Sequence, residues 1–348
     1  MNTQTVCKKL CLWYAYASIG ILTVLCIAER SRVRHNFISE VPDFTWSYKP
    51  EGSKGPASWG LERVDKRVDA DWSLCRYGKR QSPIDIQTNS LIFDHSLEAI
   101  AISGKDNQLD LIVENIGQDI QLSILSDDVI LTGGPVSYSY HVFSIRIKFG
   151  SVSTRGSDHR IDGIALPGEL QIYAFNSELY QTYTQAATRP HGLAAISVFF
   201  KLGNITNKDL LGIVAAAEKT VFRGQRFHLK GIELHSLLSS TLEYMTYDGS
   251  LPFPGCHETV TWIILNHPIS ISETELKTLR RIQVNQTLWS GAMADNFRPV
   301  QPINNRSVRT NINFDSLDQH CTVKKQASYS INMPKVTGYN EKRQPGLP

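Results

Sequence analysis

The sequence predicts a mainly β fold: a single domain with a large twisted, mostly antiparallel β-sheet and small peripheral helices. Three observations predict it. Short segments rich in β-branched and aromatic residues alternate apolar with polar, the period that sends successive side chains to opposite faces of a strand. Glycine and proline punctuation separates these segments. Helical spacing occurs only in two short stretches.

In chain order, strands are expected at residues 109–113, 120–124, 142–149, 170–175, 196–202 and 259–265. In 120–124, Ile120, Leu122 and Ile124 alternate with Gln121 and Ser123. In 142–149, Phe143, Ile145, Ile147 and Phe149 alternate with Ser144, Arg146 and Lys148. Taken alone, that pattern describes a half-buried strand with a solvated polar face. Gly133-Gly134-Pro135 and Leu202-Gly203-Asn204 mark turns. Residues 210–219 and 273–281 have the spacing of short amphipathic helices.

The chain has 348 residues, with 36 basic against 33 acidic side chains. That balance excludes a dedicated nucleic-acid binder, which would concentrate positive charge. With 23 glycines and 15 prolines the composition is that of a folded protein, and six cysteines in this length do not make a small disulfide scaffold. Lys8 and Lys9 precede an uncharged run over residues 10–28. A basic start, an apolar run and small residues before Glu29 predict a signal peptide over residues 1–28, and so a secreted protein. The run is long enough to serve instead as a membrane signal anchor. Residues 29–45 read as a linker, 46–315 as the folded domain and 316–348 as a polar flexible tail.

Three N-x-[ST] sequons, at Asn204, Asn285 and Asn305, fit passage through the secretory route. Signal cleavage would leave Cys75, Cys256 and Cys321. An odd count outside the cell implies one bridge and one thiol that is free or shared with a partner.

Gly78-Lys79-Arg80-Gln81-Ser82-Pro83-Ile84-Asp85-Ile86 resembles the opening motif of the α-carbonic anhydrases. Trp59-Gly60, Gly156-Ser157-Asp158-His159, Gly168-Glu169-Leu170, Tyr247-Asp248-Gly249-Ser250-Leu251, Thr261-Trp262-Ile263-Ile264 and Asp295-Asn296-Phe297-Arg298-Pro299 follow in the family order. The resemblance implies the α-carbonic anhydrase fold, with zinc at the bottom of a cone that reaches the centre of the sheet. The stretch 297–314 resembles the C-terminal part of the carbonic anhydrase-related proteins X and XI, a group regarded as catalytically silent.

The resemblance places the three zinc-ligand positions of the enzymes at Arg146, Lys148 and Gln171, none of them histidine. Arginine stays protonated and has no lone pair to give, lysine must first lose its proton, and glutamine is a weak oxygen donor. A unit charge ~4 Å from a dication repels it by roughly 8 kcal/mol at an effective dielectric of ~20. Two such cations would cancel the ~10–16 kcal/mol of a structural zinc site. No stable zinc, no cofactor and no carbonate dehydratase activity are therefore expected.

Other functional positions of the family also differ. Gln118 stands for the proton-shuttle histidine. Asp158 and Pro252 stand for the glutamate–threonine pair that orients zinc-bound hydroxide, and proline offers neither hydroxyl nor N–H. Phe253 fills a second threonine position. Glu169 matches the carboxylate that orients a zinc histidine. Within the cone, Glu169 and Asp158 are expected to pair with Arg146 and Lys148. As an alternative use of the metal-free cone, the two cations would recruit a small anion.

The resemblance further implies a Cys75–Cys256 bridge and leaves Cys321 for an intermolecular disulfide, to a second copy or to a receptor. It implies a binding or interaction module at neuronal or synaptic surfaces, with a neurexin-type receptor as the candidate protein partner. A residual hydrolase is the weaker alternative, because no G-x-S-x-G nucleophile elbow is present.

Overall fold

The computed structural model describes residues 46–313, apart from 51–52, 62–71, 105–107, 127, 239–242 and 286–290. The expected signal segment, linker, polar tail and Cys321 lie outside the described residues. Among the described residues no helix is long and apolar enough to cross a membrane.

Eight strands carry the main sheet: β1 Gln108–Asn115, β2 Ile120–Ile124, β3 Tyr140–Phe149, β4 Gly168–Asn176, β5 Leu193–Leu202, β6 Arg226–Glu233, β7 Tyr244–Gly249 and β8 Val260–Leu265. Their spatial order is β6-β1-β2-β3-β4-β5-β8-β7, continued by the short segments Arg309–Thr310 and Ile92–Phe93. Most pairs are antiparallel, whereas β5 and β8 run parallel. This is the mainly β, mixed-sheet architecture expected of the α-carbonic anhydrase fold.

All six predicted strands form. β4 is buried along its whole length, as a central strand covered on both faces must be. The sequence pattern marked neither β6 nor β7; β7 is mostly buried and lacks clear alternation, whereas β6 was missed because of its place at the sheet edge. Most of its side chains are exposed, and charge pairs such as Arg226–Glu114 replace an apolar face.

The two predicted helices also form, as α1 Lys208–Ala217 and α2 Glu273–Leu279. α1 starts two residues before the expected position because the Asn207 side chain accepts hydrogen bonds from the Asp209 and Leu210 amides. α2 is capped by Ser272 in the same way.

Alternation along the strands divides the interior into two cores. Ile145, Ile147, Leu170, Ile172, Ile196 and Val198 face the larger one, which α1 and α2 close. Tyr173, Ala195, Phe199, Trp262 and Phe253 face the second, together with Trp46, Tyr48 and Trp59 from the start of the domain. The polar residues of β3 belong to this second side. Their face is covered, not solvated.

Candidate functional site

Strand register assembles the site. Arg146 on β3 stands opposite Gln121 of β2 on one side and Gln171 of β4 on the other. Gln171 in turn stands opposite Ser197 of β5. In the next row Lys148 stands opposite Glu169. Because directly opposed residues share a face, these side chains meet on one surface. The three positions assigned to zinc ligands by resemblance are thus brought together.

At their centre is Asp119. Lys148 Nζ donates to Asp119 Oδ1 at 2.7 Å, and Arg146 Nη1 donates to Asp119 Oδ2 at 3.1 Å. The side chains of Lys148 and Asp119 are 0% exposed, and that of Arg146 is 14% exposed. Lys148 Nζ also donates to the Tyr48 hydroxyl at 2.7 Å, and that hydroxyl donates to Asp119 Oδ2 at 3.3 Å. Asn296 Nδ2 donates to Asp119 Oδ1 at 3.0 Å and to the Ile147 carbonyl at 2.8 Å. Burying a charge is costly unless it is paired and hydrogen-bonded, and here every charge in the group is.

The expectation that Glu169 and Asp158 hold the two cations is corrected: Asp119 holds both. Glu169 is occupied elsewhere. It accepts from His159 Nδ1, from the His159 amide, from Ser197 and from Gln171. Asp158 Oδ1 accepts the Arg298 amide at 2.7 Å, and Oδ2 accepts Gln171 Nε2 at 2.8 Å. Asp119, Tyr48 and Asn296 were not singled out from the sequence. A signal existed for Asp119: it continues the alternation of Gln121 and Ser123 by one step and so falls on their face.

The electrostatics follow from burial. Burial opposes the charge on Arg146 and is the largest single influence, but Asp119 together with Tyr48, Tyr173 and Tyr183 holds the guanidinium above its ordinary value. Burial pushes the Tyr48 hydroxyl well above the phenol range, and Asp119 adds to this. Burial also pushes the Asp158 carboxyl up to about 6, against the pull of Lys148. Glu169 is held low despite burial, chiefly by His159.

Phe253 closes the face from above. Its ring centre lies 3.8 Å from the Arg146 guanidinium carbon, a stacked cation–π contact. The adjacent Pro252 is buried in the same loop. Gln118 Nε2 donates to the Trp46 carbonyl at 3.4 Å, at the rim. Cys75 and Cys256 form a disulfide with a Cα–Cα distance of 5.0 Å, tying the Phe253 loop to the N-terminal segment. Among the sequons, Asn204 and Asn305 are exposed and Asn285 is half-buried.

Zinc does not fit this donor set. Arg146 offers only N–H groups, Lys148 is committed to Asp119, and Gln171 Oε1 accepts the Tyr173 hydroxyl at 2.7 Å. Among the described residues no group of three or more histidine, cysteine, aspartate and glutamate side chains is placed to hold a metal ion. The surface can hold ion pairs and accept hydrogen-bonding ligands.

Comparison with known proteins agrees with this frame. Residues 54–312 match the eukaryotic-type carbonic anhydrase family. Carbonic anhydrase-like protein 2 of Caenorhabditis elegans is 36% identical over 290 residues, which cover 80% of this chain and 81% of that protein. Carbonic anhydrase-like protein 1 of the same organism is 32% identical over 339 residues, covering 78% of this chain and 90% of its own length.

Proposed function

The chain belongs to the eukaryotic-type carbonic anhydrase family, and from that premise we propose that it is an acatalytic member whose domain serves as an extracellular binding module. One observation carries the reading. At a position where the enzymes place a zinc histidine, Lys148 is buried and its charge is neutralised by Asp119 at 2.7 Å. A dication would have to displace that pair and meet Arg146 beside it. Without the metal, the lowered water pKa on which hydration depends has no source.

Secretion is supported by the apolar run over residues 10–28, by two exposed sequons, and by the Cys75–Cys256 bridge, which belongs to an oxidising compartment. The partner is a protein, of the neurexin type by resemblance. Cys321 provides a second route to association, through a disulfide to that receptor or to another copy.

The test uses the full chain expressed in secreting cells. The medium is assayed for the protein, its zinc content and carbon dioxide hydration, and cells displaying a neurexin-type ectodomain are assayed for binding. Accumulation in the medium, no stoichiometric zinc, no hydration above buffer and saturable binding are expected. Stoichiometric zinc with hydration overturns the acatalytic reading, and absence of binding overturns the partner. A non-reducing gel on which Cys321→Ser matches the wild type removes the intermolecular disulfide.

A further inference from the structure

We infer that the metal-free cone is a binding site for a small monovalent anion, of the size of bicarbonate, nitrate or a halide, held by Arg146, Gln121 and Ser144.

The observation behind it is a surplus of donors. Gln121 and Ser144 are only 1% and 3% exposed. Among the described residues, Gln121 Nε2 and the Ser144 hydroxyl have no hydrogen-bond partner. Native proteins seldom leave such groups unsatisfied, because each gives up its hydrogen bonds to water without replacement. Both belong to the cone face. Gln121 stands opposite Arg146 in the sheet register, and Ser144 lies two residues before Arg146 on the same strand. Two orphaned polar groups therefore belong to residues that neighbour Arg146 on its own face of the sheet.

Arg146 itself is incompletely used. Asp119 is shared with Lys148, which has the shorter contact, so only one Asp119 oxygen serves the guanidinium. A guanidinium carries five N–H donors. Phe253 covers one face of the group and leaves its edge, and the 14% exposure of the side chain provides access from solvent. The other carboxylates nearby are engaged: Asp158 by the Arg298 amide and Gln171, Glu169 by His159, Ser197 and Gln171. A ligand fitting this corner must accept hydrogen bonds, carry negative charge and be small enough to pass Phe253. The inference concerns the cone alone and does not depend on the protein partner.

The full-length secreted protein is melted in nitrate, bicarbonate or bromide at constant ionic strength, with gluconate as the balancing anion. The melting temperature should rise saturably with the small anions. Gln121→Leu with Ser144→Ala removes only the orphaned groups. This double variant should match or exceed the wild-type melting temperature in gluconate, yet bind the anions roughly tenfold more weakly. A crystal in bromide should show an anomalous peak beside Arg146. A wild-type melting temperature indifferent to anion identity overturns the inference. So does an equal anion response in the double variant, which would place binding elsewhere.

Discussion

Lys148 Nζ and Asp119 Oδ1 lie 2.7 Å apart with both side chains wholly buried, and Asp119 also holds Arg146. This ion pair links the start of β2 to β3. Through Tyr48 and Asn296 it also ties in the beginning and the end of the domain.

Asp119→Asn should destabilise the fold by about 3–5 kcal/mol, because it leaves the buried Lys148 charge uncompensated. Adding Lys148→Met should recover most of that loss. Urea unfolding of both variants is the measurement. A loss under about 1 kcal/mol for the single variant would mean that the pair contributes little.

Arg146→His, Lys148→His and Gln171→His together should give a site that retains zinc through dialysis, since register places the three positions on one face. Hydration should stay far below that of an enzyme, because Pro252 and Gln118 remain. Elemental analysis and stopped-flow carbon dioxide hydration report the two outcomes separately. Fast turnover by the triple variant would show that the changed surroundings are immaterial.

Cys75→Ser with Cys256→Ser opens a loop spanning a sequence separation of 181 residues. The chain-entropy model sets the loss at up to about 5 kcal/mol. A melting temperature unchanged from the wild type would contradict it.

Asp158 gives a pH dependence of definite sign. Burial raises its carboxyl from the ordinary 3.8 to about 6, so the folded chain holds the proton more tightly than the unfolded chain. The stability this adds is fully present below about pH 4 and is lost as pH rises towards 6, about 3 kcal/mol in all. Asp158→Asn removes the dependence. The readout is the slope of the stability difference between wild type and variant over that interval. Parallel curves would show that the carboxyl is not shifted.

Alternation and turn residues determined much of this protein directly from the sequence. The six strands β1 to β5 and β8 were legible, because β-branched and aromatic residues recur in each with a period of two. So were the unsuitability of Arg146, Lys148 and Gln171 for zinc, which is a matter of functional-group chemistry, and the bridge between Cys75 and Cys256, implied by resemblance. The edge strand β6 was not, because pairing and charge hold it where burial does not.

Only the tertiary structure decided what neutralises the cations. Glu169 and Asp158 were reasonable candidates, but His159, Ser197, Gln171 and the Arg298 amide already engage them. Asp119 prevails because the turn after Gly117 places it at the open end of β2, in reach of both Arg146 and Lys148. Alternation alone would leave the polar face of β3 solvated; the resemblance placed it in the cone, and the structure shows it covered. Period two shows that two faces differ, but not which of them water reaches; that depends on Tyr48, Phe253 and Asn296, remote in sequence and adjacent only in the folded chain.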